Sequence, residues 1–138
     1  MKIQLKTLLF VDDTPDTLLL LSDMFTDAGY RVLCAESGDM ALDCARQGQP
    51  DLVMVDVRMP GMDGFEACRR LKKLESMKDV PVLFTSAHVT SDTWRDALVS
   101  GGADVVTKPF IHVEVLTRVA LHLKMQYLQR AVGMSFST

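Results

Sequence analysis

Five short apolar runs, separated by segments with helical spacing, constrain this chain more than any other feature. The runs are TLLFV (7–11), RVLCA (31–35), LVMV (52–55), VPVLFT (80–85) and DVVT (104–107). The third has no polar alternation, and the first and fourth have almost none. Strands of that kind need cover on both faces, as in a parallel sheet between helical layers. The intervening segments supply the cover. Leu18, Leu21 and Phe25 recur at intervals of three and four; Met40 and Ala41 stand four and three before Cys44, and Phe65, Cys68 and Leu71 follow at threes. Asp13-Thr14-Pro15 offers a cap and a first-turn proline to the first helix. Ala28-Gly29 ends that helix, Gly48-Gln49-Pro50 ends the second, and Asp63-Gly64 opens the third. The rhythm predicts a doubly wound α/β sheet with right-handed crossovers.

A length of 138 residues fits one domain of this type. Residues 1–124 are read as the domain, and 125–138 as an extension of its last helix. The net charge of −3 gives no basic face for nucleic acid. No apolar run approaches the ~20 residues needed to cross a bilayer. MKIQLKTLLFVDD carries lysines and a short apolar run, but acids follow at once and no small-residue cleavage site appears, so it reads as a first strand. The three cysteines, Cys34, Cys44 and Cys68, have no paired spacing, which fits a reducing cytoplasm.

In open α/β sheets, sites form beyond the carboxyl ends of the strands. Strand one ends in Asp12-Asp13, strand three in Asp56, strand four in Thr85-Ser86 and strand five in Lys108-Pro109. Strand two ends in nothing chemical. Three acids, a hydroxyl and an ammonium therefore converge on one rim. Carboxylates held together raise one another's pKa, and a hard divalent cation relieves the repulsion. Mg²⁺ prefers oxygen ligands and often combines one or two carboxylates with a phosphate. Lys108 supplies a point charge for a phosphoryl oxygen, and Thr85 a hydrogen bond. Singly, an acid pair before a helix is a cap, and Lys-Pro is a loop. Together, at four strand ends, they suit phosphoryl transfer, where positioning and charge neutralisation dominate.

With these residues in place, the chain resembles the receiver domain of two-component response regulators. The resemblance is carried by Asp12-Asp13, PDLVMVDVRMPGMDGFE (50–66), Thr85 and GGADVVTKPF (101–110), and spans about residues 6 to 124; ESGDMALDCA (36–45) looks like the family's second helix. It implies a flavodoxin-like fold, with five parallel strands in the order 2-1-3-4-5 and helices on both faces. It also implies that Asp56 is the phosphoacceptor, a carboxylate nucleophile forming an aspartyl phosphate. Asp13, Asp56 and the backbone carbonyl of Arg58 would hold Mg²⁺, with Asp12 acting partly through water. Lys108 would contact the phosphoryl group or, without it, Asp56. Thr85 would follow the phosphoryl group on activation, and the Lys108-Pro109 bond would be cis. The donor would be a phosphohistidine on a sensor histidine kinase or phosphotransfer protein. The domain would be a signalling acceptor and not an enzyme. Its switched surface would be the fourth helix, fifth strand and fifth helix.

Two positions depart from the family pattern. Val105 stands where an aromatic usually precedes the lysine by three, so activation is expected to move the loop after strand four and the fourth helix without an aromatic rotamer switch. Arg58 and Ala87, each two residues beyond a site residue, occupy positions that tune dephosphorylation in the family. His88, His112 and His122 share no metal-ligand spacing and read as surface or helix-cap residues. Trp94 is expected to pack on a neighbouring element. In the last helix, Leu116, Val119, Leu123 and Tyr127 are expected to face the sheet. A second stripe, Leu121, Met125, Leu128 and Val132, has the spacing of a short helix seam for a homodimer or a connection to an output domain.

Three other function classes are weaker. A haloacid-dehalogenase-type phosphatase needs Asp-x-Asp after strand one, and FVDDTPD has Thr14 at the second acid's place. A flavodoxin-like cofactor binder needs a glycine- or hydroxyl-rich phosphate loop there, where this chain has acids. A receiver-like module that is never phosphorylated would not require all five site residues.

Overall fold

The computed structural model describes residues 5–136. Five strands alternate with five α-helices: β1 (Thr7–Val11), α1 (Pro15–Asp27), β2 (Arg31–Ala35), α2 (Gly38–Gly48), β3 (Leu52–Asp56), α3 (Gly64–Lys72), β4 (Val82–Ser86), α4 (Ser91–Val99), β5 (Asp104–Thr107) and α5 (His112–Phe136). A short 3₁₀ turn at Glu75–Met77 leads into β4. The strands pair in parallel in the order β2-β1-β3-β4-β5. The chain thus reverses its winding between β1 and β3, where such sheets open a crevice at the carboxyl edge.

The core has two layers, one on each face of the sheet. Leu8, Phe10, Leu52 and Met54 pack with Leu18, Leu21 and Phe25 of α1 and with Val115, Val119 and Leu123 of α5. Leu9, Val11, Val53 and Val55 pack with α2, α3 and Ala97 of α4. Period-two alternation sends neighbouring strand residues to opposite layers, so β1 and β3 are buried throughout. Phe10 and Phe25 meet with ring centroids 5.1 Å apart, and Phe65 meets Phe84 at 5.0 Å. Each fully buried aromatic of this kind contributes roughly 1.5–3 kcal/mol of apolar transfer.

Several local expectations are corrected. Met40 is 45% exposed, while Ala41, Leu42 and Ala45 form the buried row of α2. The first helix is capped at Thr14 without a side-chain bond, although Pro15 does occupy its first position. Helix α2 ends within Gly48-Gln49-Pro50 as expected, with Gln49 as its cap in the left-handed region (φ 46°). At Gly48 an added Cβ would meet the tip of the Leu33 side chain, which would have to turn aside. Tyr127 is 69% exposed, and Gln126 is buried in its place. The helical repeat carries the inward row from Val119 through Leu123 to position 126, where the Gln126 amide donates to the Asp79 carbonyl at 3.1 Å. Leu121, Met125, Leu128 and Val132 are all exposed along α5, which continues unbroken past Lys124.

Candidate functional site

The strand register delivers the site. Residues Val11 and Val55 are paired across β1 and β3, so Asp12 and Asp56 emerge side by side, and Asp56 is paired with Thr85 of β4. Asp12, Asp56 and Thr85 are buried, whereas Asp13 is exposed at the mouth. One ligand oxygen from each of Asp12, Asp13 and Asp56 lies within 4.8 Å of the other two. Lys108 reaches in from the end of β5, with Nζ 2.8 Å from Asp12 Oδ2 and 3.2 Å from Asp56 Oδ2.

The two buried acids are used alike. Asp12 Oδ1 accepts from the Thr14 N–H at 2.9 Å, and Asp56 Oδ1 accepts from the Arg58 N–H at 3.3 Å. Each carboxylate therefore pins its own loop with one oxygen and holds the shared ammonium with the other. Sequence reasoning expected Lys108 on Asp56. The structure adds Asp12 as the nearer partner.

Charge at this rim is out of balance. Three carboxylates face one ammonium among the described residues. Burial pushes the Asp56 carboxyl above its ordinary range; Lys108 opposes the rise, and Asp12 adds to it. Burial also depresses the Lys108 ammonium, but its bonds to Asp12 and Asp56 outweigh that and raise it overall. An all-oxygen set with surplus negative charge fits a hard divalent cation such as Mg²⁺.

The loop between β3 and α3 is built around the same acid. Gly61 adopts φ +75°, which glycine takes without strain. Asp63 caps α3 by accepting from the Glu66 N–H at 2.9 Å, a contact worth about 1 kcal/mol. Gly64 then packs on the backbone of Asp56. Its N–H donates to the Val57 carbonyl at 2.9 Å, and a Cβ at this position would stand 2.3 Å from the Asp56 carbonyl oxygen. Sequence reasoning read Gly64 only as the start of a helix. Its sole sequence signal was a glycine directly after the capping acid.

The remaining predicted positions fall as follows. Arg58 and Ala87 are both exposed, and among the described residues no carboxylate pairs with the Arg58 guanidinium. Arg58 lines a 460 Å³ cavity with Asp13, Val57, Met59, Pro60 and Asp63 at the site mouth. Val105 is buried in the layer that includes Phe84 and Ala97. The Lys108-Pro109 bond is cis. His88 and His112 are exposed. His122 is not a simple surface residue, because its Nε2 lies 2.9 Å from Asp104 Oδ2, beside an Arg118–Asp104 pair at 2.7 Å. Helical spacing from 118 to 122 puts both on the side of α5 facing β5, a link that separate sequence motifs did not reveal.

Known proteins resemble this chain in sequence and fold. The family model described as the response regulator receiver domain matches residues 8–120. The uncharacterized transcriptional regulatory protein YrkP of Bacillus subtilis (strain 168) is 38% identical over 117 residues, covering 85% of this chain and 49% of YrkP. The sensor histidine kinase GacS of Pseudomonas protegens is 36% identical over 130 residues, covering 89% of this chain and 14% of GacS. The crystal structure of Vibrio cholerae chemotaxis protein CheY4 superposes with a TM-score of 0.83 at 27% identity, covering 85% of this chain and 98% of CheY4. The chain thus spans half or less of the two curated relatives named here, and nearly all of CheY4 is matched. With the family model covering most of its length, the chain belongs to the response regulator receiver domains of two-component signalling.

Proposed function

We propose that this receiver takes a phosphoryl group from a phosphohistidine onto Asp56 in a Mg²⁺-dependent reaction. The observation that carries the reading is the surplus negative charge of Asp12, Asp13 and Asp56 around one shared ammonium. Mg²⁺, when bound by Asp13, Asp56 and the Arg58 carbonyl with Asp12 assisting, would neutralise the phosphoryl oxygens. An oxygen of Asp56 attacks phosphorus, an O–P bond forms, and the P–N bond to the donor imidazole breaks. The imidazole leaves and takes up a proton. Lys108 neutralises a phosphoryl oxygen, and Thr85, next to Asp56 in register, donates to another.

The change is read at α4, β5 and α5. Val105 leaves no aromatic to rotate behind Thr85, so the signal passes through the loop after β4 and through α4. If spectra with and without a phosphoryl mimic are unchanged from Thr85 to Gly101, this route is wrong. Partners are a sensor histidine kinase or phosphotransfer protein on the input side. On the output side stands an output domain or a second copy, joined through α4-β5-α5 and the exposed Leu121, Met125, Leu128 and Val132 stripe. A strictly monomeric mass at high concentration, with and without the mimic, counts against the second copy. No helix among the described residues is long and apolar enough to cross a membrane. The three free thiols fit a reducing cytoplasmic setting.

The direct test is intact mass after incubation with acetyl phosphate. A single added phosphoryl group is expected with Mg²⁺ and none after chelation; uptake that ignores chelation overturns the metal's part. Arg58 provides a finer test. With no carboxylate partner among the described residues, the Arg58 guanidinium would cover a phosphoryl group at the mouth, so Arg58→Asn should shorten the phosphoryl lifetime by about threefold, the scale of one exposed charge contact. An unchanged lifetime makes Arg58 an ordinary solvated side chain.

A further inference from the structure

A second cleft, of about 750 Å³, lies at the opposite edge of the sheet from the acids. Pro81 and Ala103, which precede β4 and β5, form part of its floor with Val80 and Met125. Its walls carry Lys72 at the end of α3, Lys78, and Arg130 on the extension of α5. Asp79 is the one carboxylate among the lining residues. In a chain whose net charge is −3, this is a local concentration of positive charge.

Among the described residues none of these cations is paired with a buried carboxylate. Lys72 directs its ammonium at the carbonyls of Lys78 and Val80, and among the described residues no carboxylate pairs with it. Burial accordingly pulls that ammonium below its ordinary range, against weaker support from the Cys68 thiol and Asp79. Among the described residues the Lys78 ammonium pairs with Glu75, at 3.4 Å, with both side chains largely in water. Such contacts are worth little and exchange readily. Gln126 already spends its amide on the Asp79 carbonyl, while Gln129 adds a polar side chain to the rim. Donors and cations thus surround an apolar floor, in a volume typical of small-molecule sites.

We propose that this cleft binds an organic anion of nucleotide size, with its anionic groups on Lys72, Lys78 and Arg130 and its apolar body on Val80, Pro81 and Met125. A ligand there bridges the α5 extension to the turn before β4, and so fixes the part of α5 that carries the exposed Met125 and Leu128. It stands apart from Asp56 and does not depend on phosphorylation.

The test is titration of the labelled full chain with adenosine triphosphate, without divalent metal, followed by backbone amide shifts. Saturable shifts are expected at Asp79, Gly101, Ala103 and Gln126, with a Kd below ~1 mM, and with Asp12 and Asp56 silent. The double variant Lys78→Gln, Arg130→Gln removes two exposed charges outside the core and should weaken binding by about tenfold or more, roughly 1.4 kcal/mol. Inorganic phosphate should bind at least about tenfold more weakly than the nucleotide, since it lacks the apolar body. The proposal is overturned by no saturation at millimolar nucleotide, by equal affinity for phosphate, or by binding that the double variant leaves intact.

Discussion

Asp56→Asn should lose phosphoryl uptake from acetyl phosphate completely and yet melt at a higher temperature than the parent chain when no metal is present. The first half follows from chemistry, because an amide oxygen is no nucleophile here and no other buried carboxylate has the same position beside Thr85. The second half follows from linkage. The Asp56 carboxyl is raised in the folded state, chiefly by burial. As pH rises from the ordinary carboxylate range through the raised value, the unfolded chain gives up its proton first, so folding loses stability across that window. Above it the penalty is complete, and below it there is none. An asparagine carries no such charge, keeps an oxygen for the Arg58 N–H, and leaves Lys108 its nearer partner, Asp12. The stability gain should therefore be present at neutral pH and vanish in acid, and added Mg²⁺ should narrow it by stabilising the parent. Intact mass and thermal melts across pH check both halves. Residual uptake in the variant would point to another acceptor, and a gain that survives in acid would show that charge is not its cause.

Gly64→Ala should destabilise the fold by on the order of 3 kcal/mol and slow phosphoryl uptake at Asp56 more than stability alone explains. The added Cβ would lie 2.3 Å from the Asp56 carbonyl oxygen, 2.9 Å from its carbonyl carbon and 2.9 Å from the Val57 Cα, all of them backbone. No side chain can rotate aside to make room. Relief has to come from moving the start of α3 or the end of β3, and the latter carries the nucleophile. Denaturant melts give the first effect, and uptake rates measured well below the melting point give the second. Gly29→Ala is a contrasting control, because its strain comes from φ +96° with nothing within 4 Å, far from the acids. A variant at 64 that is unstable but takes up phosphate at the parent rate would separate the helix start from the site.

Most of the architecture was legible because two simple periods carried it. β1, β2 and β5 occupy the very runs read from apolarity, and the buried trio Leu18, Leu21 and Phe25 follows the helical repeat. The site was legible for a related reason: parallel strands put their carboxyl ends on one edge, so Asp12, Asp56, Thr85 and Lys108 could be grouped before any coordinates. What escaped depended on third dimensions of packing. Tyr127 and Gln126 differ by one step on a helix; the inward row falls on Gln126, whose amide is satisfied by the Asp79 carbonyl, a partner distant in sequence. Gly64 matters because the Asp56 backbone faces it, a neighbour eight residues away in sequence. The Asp104–His122–Arg118 group likewise forms only once α5 lies along β5.

The ammonium of Lys108 touches the acids that end β1 and β3 while its own backbone follows β5. Asp12 and Asp56 each tether the loop behind them through their other oxygen. Three strand tips are thus tied through a single side chain, like guy lines meeting at one ring. Whatever takes hold of the Asp56 oxygen that Lys108 shares must tug on that ring, and the load arrives at the other two tips within the same hydrogen-bond length. Through that one ammonium, the tips of β1, β3 and β5 share a single point of attachment.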